Sequence, residues 1–504
     1  MNYGRLRLLV FLSLGVSGSI APCPDSQQPP SLVAQSGRAV QVSRGGSAQS
    51  FEISSAILKE QRHILVVLPA SYSQSAAERK YPVIVVADGE YLTPAVAVVS
   101  DELARNGQIP ESVIVGIENV GGANAEASND KRVYDLTPPG LSVSGSDLNQ
   151  GGDLFLDFIE RELLPAVDRQ FRTARPRTFV GVSSGGILAT YVAATRPTFS
   201  AVVCLDAPIS TGNNWLARKL IERAAGGGRP VRYASLEADY GWPEEAWKKL
   251  LAAAPATWKL HREKLQLEGH ESMHMLGGYL GLRQVFGDYS RLSTRDVLSA
   301  GILPYYAKVS ESLGARVIPP RRVLQDVVNN LLGERRGAAA KEAYELLAFG
   351  YGAPSDSARL LVEIADAERR PPPAVTVELL LATPFPTPEE VRAFIGEWVG
   401  DITMRADSPR TGGTRLRIKV VDGRVVGETV SQTPEGESVR RFDYLKITPQ
   451  GMTWGRLNER QPRGVMLFEG KLEGDILSGT GQFAGIRLEN PPPPLHFSFK
   501  RLRE

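Results

Sequence analysis

The 504-residue chain predicts an α/β domain with a largely parallel sheet, then a small helical segment, then a closed antiparallel β-barrel. Three observations predict this order. From about residue 49 to 290, short apolar runs alternate with segments of helical period, the pattern of strands joined by crossover helices. From 291 to about 385 helical periodicity alone is left, and it ends in the Pro-rich stretch "RRPPPAVTVELLLATPFPTPEE". From about 386 to 504 the chain is made of short alternating segments separated by turn signals such as Asp422-Gly423. About eight such strands are most simply satisfied by closing on one another.

Taken in order, the first 22 residues read as a secretory signal peptide: Arg5 and Arg7 precede an apolar run too short to span a membrane, followed by small residues. Export to the periplasm or the extracellular space is therefore expected. Cys23 is a candidate for a lipid anchor, although Pro22 beside it fits that signal poorly. Residues 23–48, rich in Ser, Gln, Gly and Pro, read as a flexible linker. In the next domain "YPVIVVADG" and "ESVIVGIEN" are buried strands, and "GGDLFLDFIERELLPAVDRQF" carries apolar residues at helical spacing. "RTFVGV", "SAVVCLDAP" and "PVRYASLEA" are strands, each followed by a helix. "TWKLHREKLQLEGH" alternates like a last strand, and "MLGGYLGLRQVF" reads as the last helix. The helical segment is expected to space the two domains or to contact a partner.

Composition excludes several classes of function. The hydrophobic fraction of 42% and charged fraction of 23% are those of a globular protein, and the net charge of +2 gives no footprint for nucleic acid. Two cysteines, Cys23 and Cys204, can build neither a zinc site nor a disulfide framework.

The chemistry is carried by Gly181-Val182-Ser183-Ser184-Gly185, a Gly-x-Ser-x-Gly sequence. The motif is weak alone, but here a strand runs in and a helix runs out. That is the nucleophile elbow, in which a sharp turn lifts one serine clear of the sheet. Ser183 is then the nucleophile, and Ser184 supplies a backbone N–H. A serine needs a base. His63 and His261 lie in alternating strands, His496 in the barrel, and His274 at a helix start. His270, on the loop after the last strand, is the expected base. The base needs a carboxylate to hold its tautomer. Asp206, Glu237 and Asp239 all lie at strand ends between Ser183 and His270, so the order along the chain leaves all three open.

These residues carry a resemblance. Residues 50 to 290 resemble the esterase branch of the α/β-hydrolases, which includes siderophore esterases, esterase D, feruloyl-type esterases and mycolyltransferases. "YPVIVVADGEYL" is similar to the branch's strand ending in Asp-Gly, and "KRVYDLTP" to its Arg-x-x-Asp-x-x-Pro segment. "GHESMHMLGGYLGLRQVF" is similar to its histidine loop, with His270 and Ser272 in the His-x-Ser positions. The resemblance implies an oxyanion hole made by the amides of Glu90 and Ser184. It favours Asp239 as the acid, with Glu237 as the alternative. It implies serine ester hydrolysis of a small-molecule ester without metal or cofactor. Two departures stand out: Val182 replaces the commoner histidine before the nucleophile, and Glu237 a usual glycine. Separately, "Gly396-Glu397-Trp398" resembles the opening of lipocalin-like barrels. Acyl transfer by the same fold, or an inert protein that binds a ligand or partner through the barrel, are the competing expectations.

Overall fold

The computed structural model describes residues 29–35, 40–41, 47–120, 126–141, 150–290, 302–314, 316–333, 335–369, 380, 382–403, 413–433, 436–448, 451–458, 464–484 and 493–502. The signal peptide and Cys23 lie outside these residues. Among the described residues no helix is long and apolar enough to cross a membrane.

The first domain is built on one sheet. Its strands are β1 (Val33–Ala34), β2 (Val40–Gln41), β3 (Ser47–Ser55), β4 (Glu60–Leu68), β5 (Tyr81–Val86), β6 (Val113–Ile117), β7 (Thr173–Val182), β8 (Ala201–Leu205), β9 (Arg232–Glu237) and β10 (Lys259–Lys264). They are ordered β1-β3-β4-β6-β5-β7-β8-β9-β10, with β2 also on β3. β5 to β10 run parallel, and β1 to β4 form an antiparallel edge. The difference follows from the sequence. Every residue of β5, β6, β8 and β9 is buried, because helices cover both faces of a parallel sheet. The covering helices are α1 (Gly89–Arg105), α2 (Glu126–Leu136), α3 (Gly152–Phe158), α4 (Leu164–Gln170), α5 (Ser184–Thr195), α6 (Thr211–Ala225), α7 (Glu244–Ala253) and α8 (Met273–Val285). Between α3 and α4 the chain takes a π turn, Ile159–Leu163. The turn carries Glu162, whose carboxylate accepts from the amides of Ala56 and Ile57 and so ties off the β3–β4 hairpin.

The helices Ile302–Leu313, Arg321–Gly333, Gly337–Tyr351 and Ser357–Arg369 do not stand between two domains as a spacer. Leu324, Leu331, Leu347 and Ile364 share one apolar core with Val86, Leu103 and Val180 of the α/β domain. Arg79 lies over the rings of Tyr81 and Tyr351, at 4.4 and 4.5 Å, and donates to Glu111 and to the carbonyl of Gly350. Amphipathic helices bury their apolar faces on the nearest apolar surface, here one face of the sheet layer.

The last unit is a meander of β11 (Gly396–Thr403), β12 (Thr414–Val421), β13 (Arg424–Thr433), β14 (Gly436–Arg441), β15 (Tyr444–Thr448), β16 (Gly451–Asn458), β17 (Gly464–Glu473), β18 (Ile476–Ala484) and β19 (Leu495–Arg501). The ladder runs β14-β13-β12-β11-β19-β18-β17-β16-β15. Its two ends are one piece of chain: the Phe442 amide still donates to Gly427 on β13, and the Asp443 amide already donates to Gly455 on β16, each at 2.9 Å. β14 and β15 thus act as one bent strand that brings the sheet back on itself. The interior is packed, with Trp454 stacked on Phe468 at 5.3 Å and edge-on to Phe497 at 4.8 Å.

Candidate active site

The ends of β5, β7 and β8 deliver Asp88, Ser183 and Asp206 to the C-terminal edge of the sheet, where open parallel sheets hold their ligands. At the end of β7, Ser183 has φ 56° and ψ −119°, a conformation that a non-glycine residue keeps only when its surroundings enforce it. They do. Its amide donates to Leu205 on β8, and its carbonyl accepts the Ile187 amide and so opens α5, both at 3.0 Å. The turn is too tight for side chains at its flanks. A Cβ on Gly181 would lie 2.1 Å from the Gly185 carbonyl oxygen, and one on Gly186 would lie 2.7 Å from the Cβ of Ala207. Ser184 is the first residue of α5, where an N–H has no intrahelical acceptor.

His270 opens the turn before α8. Its Nδ1 lies 2.7 Å from Oδ2 of Asp206, a residue with 0% exposure. The other oxygen of Asp206 accepts the amides of Ala238 and Tyr240, at 2.7 and 2.8 Å. With both oxygens accepting, the ring proton is assigned to Nδ1, which leaves Nε2 as the acceptor. The ring of Tyr240 stands edge-on to the imidazole at 5.3 Å.

The two acids favoured from sequence are placed elsewhere. Asp239 accepts the backbone amide of His270 at 2.9 Å, so it holds the loop and not the ring. Glu237, 3% exposed, accepts from the Arg262 guanidinium at 2.9 Å and from the Trp242 amide at 2.9 Å. Its oxygens thus serve the turn between β9 and α7 and the neighbouring strand β10, not the histidine. Asp206 is the third carboxylate at a strand end between Ser183 and His270, and the signal that separates it is its own backbone. It has φ 40° directly after β8, the strand beside β7, which turns its carboxylate along the sheet edge. His274 lies on α8, His261 pairs with Glu263 at 3.0 Å, and His63 is half exposed on β4.

Glu90 sits in the first turn of α1, whose preceding residue Asp88 is left-handed (φ 54°, ψ 48°) and buried. Arg132 grips Asp88 with two bonds, Nε to Oδ1 at 2.6 Å and Nη2 to Oδ2 at 2.8 Å. Asn119 adds a bond to Asp88 at 2.8 Å and two to the Glu90 carboxylate, at 2.7 Å from its side chain and 3.0 Å from its amide. Burial alone would pull the Arg132 guanidinium down, but the bonds and charge of Asp88, with Glu90 and Tyr91, push it above its usual value. Burial, with Glu90 close by, raises the carboxyl of Glu118. The partner segment of the Arg-x-x-Asp-x-x-Pro stretch is also placed: Asp135 pairs with the buried Arg62.

Residues 55–269 match the model of the family described as "Putative esterase". The esterase domain is that of a carboxylic-ester hydrolase of α/β-hydrolase fold. Among solved structures, an IroE-like serine hydrolase from Shewanella oneidensis is 27% identical with a TM-score of 0.50, covering 60% of this chain and 98% of that one. The BES protein from Bacillus cereus is 18% identical with a TM-score of 0.41, covering 50% of this chain and 97% of that one. A siderophore hydrolase, EstB, from Aspergillus nidulans is 18% identical with a TM-score of 0.39, covering 47% and 94%. No curated protein matches the chain.

Proposed function

We propose that the chain is exported and hydrolyses small-molecule carboxylic esters through an acyl-enzyme on Ser183, with His270 as base and Asp206 as the acid that orients it. The observation that carries the reading is the 2.7 Å contact between the buried Asp206 carboxylate and His270 Nδ1, at the end of the strand beside the one that carries a serine in a strained elbow. The serine-hydrolase relative at 27% identity supports the same class of chemistry. Export rests on the N-terminal "RLRLLVFLSLGV" pattern.

In this mechanism His270 Nε2 takes the Ser183 proton as Oγ attacks the ester carbonyl. Asp206 stabilises the imidazolium, and its two backbone bonds stop it from turning away. The Glu90 and Ser184 amides face the developing oxyanion, and each is fixed before the substrate arrives. Glu90 is fixed through the Asp88–Arg132–Asn119 network, and Ser184 through the elbow. Losing one such donor costs roughly 10²–10³ in rate. His270 then returns the proton to the leaving alcohol, and water repeats the sequence to free Ser183. The test is turnover of a short-chain p-nitrophenyl ester, together with mass-spectrometric mapping of the serine labelled by diisopropyl fluorophosphate. The label is expected on Ser183, with activity lost in Ser183→Ala. Label on Ser184, or equal rates in the two proteins, would sink the reading.

A further inference from the structure

The two ends of the barrel differ. The 3₁₀ turn Arg392–Phe394 closes one: Phe394 and Val391 are buried against Trp398, whose Nε1 donates to the Phe394 carbonyl at 3.0 Å. The opposite end, toward which β11 and β16 run, carries two arginines. Side chains alternate along a strand. Met452 and Trp454 of β16 point into the core, so Arg456 continues that inner face. Its Nη1 lies 3.3 Å from Oγ1 of Thr429 on β13. Arg440 on β14 is the cross-strand partner of Thr429. Arg456 thus bonds Thr429 directly, and Arg440 stands beside the same threonine across the β13–β14 ladder, near enough for its charge to act on Arg456.

Neither arginine has a carboxylate within ion-pair distance among the described residues. Asp443, whose charge acts on Arg456, accepts the amide of Leu457 at 2.9 Å. Burial lowers Arg456 from its usual value, Arg440 lowers it further, and Asp443 only opposes them. Elsewhere on the same barrel, arginines are paired: Arg417 bridges Glu397 and Glu428, and Arg415 meets Glu437. Across β17 and β18 from Arg456 stand Met466 and Phe483, partly exposed and apolar.

We propose that this end of the barrel binds the carboxylate of an amphiphilic acid, held in the fork of Arg440 and Arg456 with its apolar body along Met466 and Phe483. A planar carboxylate suits guanidinium donors, and it offsets the charge of the half-buried Arg456 beside the exposed Arg440. The barrel core is filled by Trp454, Phe468 and Phe497, so the ligand lies at the mouth and not in the lumen.

The test is calorimetric titration of the full chain with decanoate, decanol and inorganic phosphate. It is run with and without prior labelling by diisopropyl fluorophosphate, so that occupancy of the esterase site is scored apart. Decanoate is expected to bind, and decanol and phosphate far more weakly. Arg456→Gln and Arg440→Gln should each weaken decanoate about tenfold while ester turnover stays unchanged. Unchanged decanoate affinity in both variants overturns the proposal, as does decanol or phosphate binding as tightly as decanoate. Arginine-dependent binding to phosphatidylglycerol vesicles without binding of decanoate also overturns it, in favour of a membrane surface. If Arg456→Gln fails to fold, Arg440→Gln, at an exposed position, decides alone. The variant comparison does not depend on Ser183, so failure of the esterase mechanism leaves it readable.

Discussion

The edge of the esterase sheet and the mouth of the barrel both gather charged side chains, and they do so in opposite ways. At the sheet edge four acids are each held by donors: Asp88 has Arg132 and Asn119, Asp206 has two amides and a ring, Glu237 has Arg262, and Asp239 has the His270 amide. At the barrel mouth Arg456 has a threonine and no carboxylate among the described residues, and a second arginine, Arg440, stands on the neighbouring strand. A fully satisfied network is rigid before anything binds, which is what a transition state rewards. An unsatisfied one is completed by what binds.

The comparison can be broken most severely at the proposed nucleophile. Ser183→Ala is expected to lower kcat on a p-nitrophenyl ester by about 10⁵–10⁶. Next come the acids, which the structure separates. Asp206→Asn should cost about 10³–10⁴ in kcat, because the ring loses the partner of its Nδ1 proton. Asp239→Asn removes one loop bond and should cost less than about tenfold. Equal losses would mean that the two carboxylates share the ring in solution. Arg132→Met should then lower kcat about a hundredfold with KM held, because it releases Asp88 and with it the Glu90 amide. Arg132→Lys should recover little of this, since an ammonium cannot grip both oxygens. Ser184→Ala should stay within about threefold of wild type, because only its amide is used. The smallest effect is on the other side of the comparison. Arg456→Gln should leave Tm unchanged or slightly higher, because it removes an uncompensated charge. A clear fall in Tm would show that the barrel mouth is already satisfied.

What could be read without coordinates tracks how local the information is. The elbow was legible because a strand, Gly181, Ser183 and a helix lie within a few residues of one another, and the requirement for glycine is set by that turn itself. The choice of acid was not. Asp206, Glu237 and Asp239 all follow strands, and what divides them is the direction of a side chain, fixed by one positive φ and by amides contributed 32 and 34 residues away. The resemblance therefore pointed to Asp239, which does touch His270, but at its backbone. The docking of the later helices was illegible for a related reason: an apolar face announces that it will be covered, not by what. The convergence of the arginines lay half in view. The alternation Met452, Trp454, Arg456 in "GMTWGRLN" places a cation on an inner face, whereas its meeting with Arg440 depends on how β14 and β15 bend.

The sandwich of Arg79 between Tyr81 and Tyr351 has a consequence for how the molecule comes apart. One guanidinium joins residues 272 positions apart in the chain, across the boundary at residue 290 that the sequence suggested. Cutting there would strip the apolar cover from the sheet layer and leave a stacked cation facing water. The α/β layers and the later helices should therefore melt as one cooperative unit. The place to divide the chain is the Pro-rich stretch before β11, and fragments made there, not at 290, are the ones expected to survive protease.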